Sequence, residues 1–520
     1  MPKIVINELD LTTPGGSGES TDVVYIPGFV DPETALIEVG KPELFTSVSQ
    51  FNTRCGSTPP VFKVDQYIPA GFAAASIKGM NTGAVMFNAG DTDPSYVMAK
   101  ELLAAGLSVL YERVNVTTLE YEKITVPNKD ESTDVIDNEG KNDWYYKNEN
   151  DKYKSYNIQV NQEAIDDGVD NVTPQYKPYD PDNTYKITSH GAIHVNTMYD
   201  YLSTSAYQIS DTAGISDRGN YSVKYLTSGG YPTFEYASGA IVTAMLGLAD
   251  NRGDCVALID HLDNTARPIN PSNVDSVFHA VSNSTLFDTK GDFGAMFTPW
   301  ATYNRVTADT DPKNANKKVK AAFRAPGSFA YLASLADSIK TNANWLAVAG
   351  AARGGVVNLA EGGMDVVIPN GVADKLQPRE PEDAMKIAIN AITNIRPYGL
   401  TIWGNRTLKP VEDGLVATSF LNVRNLISDI KKTCYRVARK VTFEQDTDIL
   451  WVNFKSDIAK LLDRMKSGYG ISGYKIVRDN DRAEATKKAT LCAKIIIYPT
   501  YAVEDFYITV VLQDDEVSVN

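Results

Sequence analysis

Three groupings in this 520-residue chain have residue types and spacing that could do chemistry. The stretch "GYGISG" at 468 to 473 has the Gly-x-Gly-x-x-Gly spacing that lets a backbone approach a pyrophosphate. It follows a helical pattern and leads into a strand at Tyr474 to Arg478. That reverses the strand-to-helix order that sets a phosphate on a helix N-terminus, so it reads as a turn. "HGAIH" places His190 and His194 four apart, a metal-binding spacing on a helix. The surrounding "YKITSHGAIHVNTM" is strand-like, however, and no carboxylate or cysteine cluster follows it. Asp260, His261 and Ser328 supply the residue types of a hydrolytic triad, but Ser328 stands in "APGSFA" and lacks the GxSxG context of a nucleophile elbow. There is no GxxxxGK[ST] phosphate loop. Cys55, Cys255, Cys434 and Cys492 stand singly and read as reduced core thiols. The expectation is no catalytic residue, no cofactor and no metal.

Bulk properties narrow the class further. The length suits several domains, and 43% hydrophobic residues is ample for several cores. A net charge of −15 argues against nucleic acid or an anionic membrane as general partners. Neither a signal-peptide pattern nor an apolar run of membrane-spanning length is seen, so membrane insertion is not expected and cytoplasmic synthesis is.

The elements that would position any site follow an α/β pattern. Residues 23 to 116 alternate short apolar runs with helix, as in "SYVMAKELLAAGLSVLYERV", where a helix from about Ser95 to Ala105 stops at Gly106 before a strand at Ser108 to Val114. From 117 to 220 the composition turns to Tyr, Asn and Asp. Nine Lys/Arg stand there against nineteen Asp/Glu, a net of −10, and the segment reads as an inserted acidic β domain. The α/β pattern resumes over 221 to 395. A smaller C-terminal α/β unit spans 396 to 504, with helices at about 422 to 440 and 449 to 466 and strands at "GYKIVRD" and "TLCAKIIIYPT". On the first helix Val423, Leu426, Ile427, Ile430, Cys434, Val437 and Val441 form an apolar stripe. Its other side carries Lys432, Arg436, Arg439 and Lys440, either a solvated face that complements the helix dipole or a binding stripe.

Both termini read as strands. "KIVINELDL" at 3 to 11, with Ile4, Val5 and Ile6, is followed by the flexible linker "TTPGGSGES", making 1 to 22 an arm. At 505 to 520 Phe506, Ile508, Val510 and Leu512 alternate along one face of a second arm. Such strands either fold back on their own domain or pair with other copies.

Taken in order, these segments resemble the contractile tail sheath proteins of bacteriophages and related injection machines. The resemblance is carried by "YIPGFVDPETALIEVGKPELFTSVSQFNTRCG" with Phe51 and Gly56, by "SYVMAKELLAAGLSVLYERV", by Asp337 and Trp345 in "APGSFAYLASLADSIKTNANWLAVAGA", by "GLTIWGNRTL" with Trp403, Gly404, Arg406 and Thr407, by "FLNVRNLISDI" with Val423 and Arg424, and by "TFEQDTDILW" with Phe443, Glu444 and Trp451. It covers about four fifths of the chain and leaves out 117 to 220. It departs from the family at Asn425, where a second arginine is usual.

The resemblance implies a subtilisin-like α/β core with an outward-facing insertion, a C-terminal domain facing the tail tube, and terminal arms that add strands to neighbouring copies. It also implies hexameric rings of this chain stacked in a sleeve that contracts, with the tail tube protein, baseplate and tail terminator proteins as partners, in a virion tail assembled in the bacterial cytoplasm. Under it Lys432, Arg436, Arg439 and Lys440 face the tube. Two other readings stand beside this one: a hydrolase built on Ser328 and His261, and a capsid or baseplate module with strand-swapped termini. The insertion reads as a solubilising decoration or a receptor- or carbohydrate-binding domain.

Overall fold

The computed structural model describes residues 22–30, 35–57, 93–115, 198–210, 214–231, 239–260, 274–304, 322–356, 366–412, 414–480 and 490–504, with short stretches at 59–60, 144–147, 153–157, 310–311, 314–318 and 359–364. The arm residues Ile4, Val5, Ile6, Phe506, Ile508, Val510 and Leu512, and His190, His194 and His261, lie outside the described residues.

Eight strands form one sheet: β1 (Val23–Gly28), β2 (Glu43–Phe45), β3 (Ser108–Arg113), β4 (Tyr225–Leu226), β5 (Val256–Asp260), β6 (Gly294–Thr298), β7 (Asn390–Ile395) and β8 (Gly399–Trp403), in the order β8-β7-β6-β5-β4-β1-β3-β2. The six inner strands run parallel, and the edges β2 and β8 are antiparallel. Alternation along each strand sets the layers. Val23 and Tyr25 join one core with Leu110, Ala257, Ile259 and Met296, while Val24 and Ile26 join the other with Val109, Val256, Leu258 and Phe297. Both faces are covered, which is why "VVYI" and "VALI" are apolar without a break.

Helices supply the two covers. On one side lie α1 (Val48–Cys55), α2 (Pro94–Ala105) and α4 (Gly327–Ser338); on the other lies α3 (Ala240–Arg252). The Asp93 side chain caps α2 by accepting from the Ser95 and Tyr96 N–H groups at 3.2 Å each. Gly106, at φ 107°, ends it in the left-handed conformation that glycine adopts without strain. Phe51 packs edge-on to Phe45 and Tyr111, so the Phe51 to Gly56 stretch, which is the second half of α1 with Gly56 at its cap, closes an aromatic cluster beneath the sheet edge.

A third core, from α5 (Leu421–Val441), α6 (Asp448–Ser467), β9 (Ile471–Arg478) and β10 (Ala493–Pro499), makes the C-terminal unit. The chain is thus mixed α/β, with one large sheet and smaller sheets.

Several sequence expectations shift. The strand expected from Tyr474 begins at Ile471, inside the glycine motif. β8, assigned by sequence to the C-terminal unit, is the edge of the large sheet, because it pairs with β7 from Ala391↔Trp403 to Ile395↔Gly399. The helical stretch 198–204 lies within the segment read as inserted, yet Met198, Tyr199 and Leu202 are buried in the central core. The acidic composition spoke for the average of that segment and hid its apolar end. Of the insertion proper, the described residues form an antiparallel hairpin, Trp144–Lys147 with Tyr153–Asn157. Cys55, Cys255 and Cys434 are buried, but Cys492 is half-buried.

Candidate functional site

In an open parallel sheet, ligands collect where strand order reverses, at the carboxyl ends of the strands. Here that point lies between β1 and β4, and the protein's own groups fill it. Asp93 accepts from the Phe29 N–H at 2.9 Å and the Tyr231 hydroxyl at 3.1 Å, and Ser95 Oγ donates to the Gly229 carbonyl at 2.8 Å. Asp93, Ser95, Thr227, Ser228, Asp260 and Ser328 are all completely buried. Burial pushes the Asp93 and Asp260 carboxyls up to about 7, against hydrogen bonds that pull the other way. The structure does bring Ser328, in the first turn of α4, near Asp260 at the end of β5. Both are completely buried.

The glycine motif has another use. The Trp345 indole N–H donates to the Gly468 carbonyl at 3.0 Å. A Cβ on Gly468 would lie 2.7 Å from that ring, and one on Gly470 would lie 2.6 Å from it. These glycines let the indole seat on the turn before β9, joining the segment after α4 to the C-terminal core.

Helix α5 is where charge concentrates. Its apolar stripe is confirmed at Val423, Leu426, Ile430, Cys434 and Val437, whereas Ile427 and Val441 are only half-buried. The opposite side is not a solvated face over its first half. Arg424, Asn425, Asp429, Lys431 and Lys432 are all buried. The Lys224 ammonium, wholly buried on the strand side, lies 2.9 Å from Asp22 Oδ1 and 2.7 Å from Asp429 Oδ1. Burial lowers the affinity of Lys224 for its proton, but the two carboxylates outweigh it and hold the pKa above the usual lysine value. Arg424 pairs with Asp292 at 3.0 Å and stacks 3.5 Å from the Phe293 ring centre. Asn425 donates to the Tyr331 hydroxyl at 3.0 Å, so a neutral hydrogen bond stands where the family carries a second arginine.

The expected tube-facing stripe divides. Lys432 is 6% exposed and its pKa is lowered, chiefly by burial, so it does not reach an outer partner. Its helical spacing was read correctly, but the central body covers that turn of α5. Arg436 is half-buried, while Arg439 and Lys440 are exposed, with Arg439 donating to the Gly219 carbonyl at 3.2 Å.

β9 and β10 pair antiparallel from Ile471↔Pro499 to Arg478↔Ala493, and the Tyr474 hydroxyl donates to Asp463 on α6 at 2.7 Å. Among the described residues this sheet has only these two strands, so each presents one unpaired edge. Sequence reasoning missed the ionic anchors Asp22, Lys224, Asp429 and Glu504; partners about a hundred to two hundred residues apart leave no local signal.

No family model matches the chain, and no curated protein matches it. Solved structures do. Its structural neighbours include sheath proteins of contractile systems and chains of a contractile baseplate. The sheath complex of an extracellular contractile injection system (PVC), in its contracted state, aligns over 99% of this chain and 98% of its own, at 13% identity and a TM-score of 0.47. The contracted helical sheath of the anti-feeding prophage aligns over 99% and 98%, at 13% identity and 0.46. A sheath tail protein from Desulfitobacterium hafniense aligns over 94% and 100%, at 10% identity and 0.42.

Proposed function

We propose that this chain is a structural subunit of a contractile tail sheath. It assembles into stacked hexameric rings around a tail tube and contracts to drive the tube through a host envelope, with no catalytic turnover. The observation that carries the reading is the β9–β10 sheet. Among the described residues each of its strands has a single strand neighbour, which leaves an edge for further strands to join through backbone hydrogen bonds, and both chain termini carry strand-like sequence. Strand addition is directional and survives reorientation of subunits when a linker takes up the motion, and "TTPGGSGES" is such a linker. The ordered run of motifs from "YIPGFV" to "TFEQDTDILW" supports the same reading, and the buried Ser328 and Asp260 pair supports the absence of turnover.

On this reading the C-terminal unit faces the tube, and Arg436, Arg439 and Lys440 supply contacts that are polar, screened by salt and breakable. The acidic insertion points outward and keeps assembled sleeves apart. Baseplate and terminator proteins bound the two ends, and assembly takes place in the bacterial cytoplasm.

Deleting residues 1 to 20 tests the proposal. Sedimentation of the full chain should show large polymers and that of the truncated chain only small species; equal polymerisation of the two would refute strand exchange by the N-terminal arm.

A further inference from the structure

The chain leaves β10 at Pro499 and returns to the central body before the C-terminal arm begins. Tyr501 packs against the Phe420 ring at 5.1 Å between centres, and the Arg406 guanidinium lies 4.8 Å from the centre of the same Phe420 ring. Arg406 Nε donates to both Glu504 oxygens at 3.1 Å, Nη2 donates to Glu504 Oε2, and Nη1 donates to the Pro378 carbonyl at 3.3 Å. The backbone of Arg406 is itself fixed, because its N–H donates to Asn390 Oδ1 and its carbonyl accepts from Asn390 Nδ2, both at 2.9 Å. The Arg406 side chain is 2% exposed and that of Glu504 is 22% exposed. A guanidinium so placed cannot exchange the carboxylate for water without leaving charge buried, so the contact is either made or strongly unfavourable to lose.

We propose that Arg406 and Glu504 form a latch that fixes the root of the C-terminal arm on the central body. An arm exchanged with a second copy of this chain then swings from Glu504 and not from the end of β10. This rests on the sheath reading for the exchange, but the latch is a property of the single chain. With the latch closed, the free segment starts at Glu504. With it open, the free segment lengthens by five residues from Pro499, or roughly 16 Å. The longer tether dilutes the arm around its acceptor sheet. The N-terminal root is held in the same manner, by Asp22 on Lys224, so both arms leave from fixed points.

The test uses the full chain carrying E504Q, E504R or R406E. Amide hydrogen exchange on the unassembled protein reads the latch, and the protein concentration at which polymers first sediment reads the exchange. E504Q and E504R should speed exchange at Tyr501 to Glu504 about tenfold or more while β9 and β10 keep their protection. They should also raise the polymer threshold at least threefold. Unchanged exchange at 501 to 504 in both Glu504 variants overturns the latch. Faster exchange with an unchanged threshold overturns its role in assembly. E504Q changes the less buried partner, so the test stands even if R406E fails to fold. Failure of the unmodified chain to polymerise would count against the sheath reading alone, because the exchange measurement is made on single chains.

Discussion

Replacing Lys224 with methionine keeps the length of the side chain and removes the cation that bridges two buried carboxylates. Lys224 is wholly inaccessible and bridges Asp22, at the root of the N-terminal arm, to Asp429 in the middle of α5. Removing one partner of a buried ionic group costs about 3–5 kcal/mol, because the remaining charge is stranded. The loss falls chiefly on the completely buried Asp429, while Asp22 keeps the hydrogen bond from the Asn344 amide at 3.3 Å, which places the expectation within that range. The sign of the pH dependence follows from the same geometry. Burial holds the Asp429 carboxyl up at about 7 against the pull of Lys224, so without the ammonium its folded-state pKa rises further above the unfolded value. A raised acid gives a stability contribution that is full at low pH and lost as pH rises through the folded pKa. The deficit of Lys224→Met against the unmodified chain should therefore shrink on acidification, by up to about 1.4 kcal/mol per pH unit for each proton taken up. Urea titrations of the unassembled protein at pH 8, 7 and 6, followed by tryptophan emission, measure this. A deficit below about 1 kcal/mol, or one that does not change with pH, would refute the triad as an anchor.

Three further outcomes follow from the same structure. Gly470→Ala forces a methyl group to within 2.6 Å of Trp345 and 2.9 Å of Leu426; it should cost about 1–3 kcal/mol and shift tryptophan emission, and a neutral result would remove Trp345 as the seat of the turn. Asp260 has its pKa raised to about 7 by burial, so its ionisation costs stability as pH rises from the unfolded value through 7. Asp260→Asn should gain on the unmodified chain between pH 4.5 and 8 by up to roughly 3 kcal/mol, and parallel denaturation profiles would contradict that. Charge reversal at both Arg436 and Arg439 should reduce sheath assembly on tail tubes, with a larger loss in low salt than in high; unchanged assembly would remove these residues from the tube contact.

Short-range signals in the sequence carried much of the fold. The run "SYVMAKELLAAGLSVLYERV" announced α2, its glycine stop and β3 because capping, helical propensity and strand burial all act within a few residues. The two long C-terminal helices were legible for the same reason, to within a residue or two at each end. What periodicity could not show is which polar face meets water. Lys432 and Arg436 share helical spacing, yet one is sealed under the central body and the other is not, and the difference lies in what packs above α5. The boundary near Arg396 failed similarly. β8 looks like the first strand of a new unit until its pairing with β7 is seen. The anchors were least legible of all: Lys224 and Asp429 are 205 residues apart, and Arg406 and Glu504 are 98 apart. Arg406 stood within the "GLTIWGNRTL" resemblance, but only the fold shows what it holds.

Negative-stain electron microscopy of the full chain, purified alone at neutral pH and moderate salt and again with a tail tube protein, tests the central claim most directly. The account predicts tubular polymers built of stacked rings, alone or on the tube. Single, unassembled particles under both conditions would contradict it.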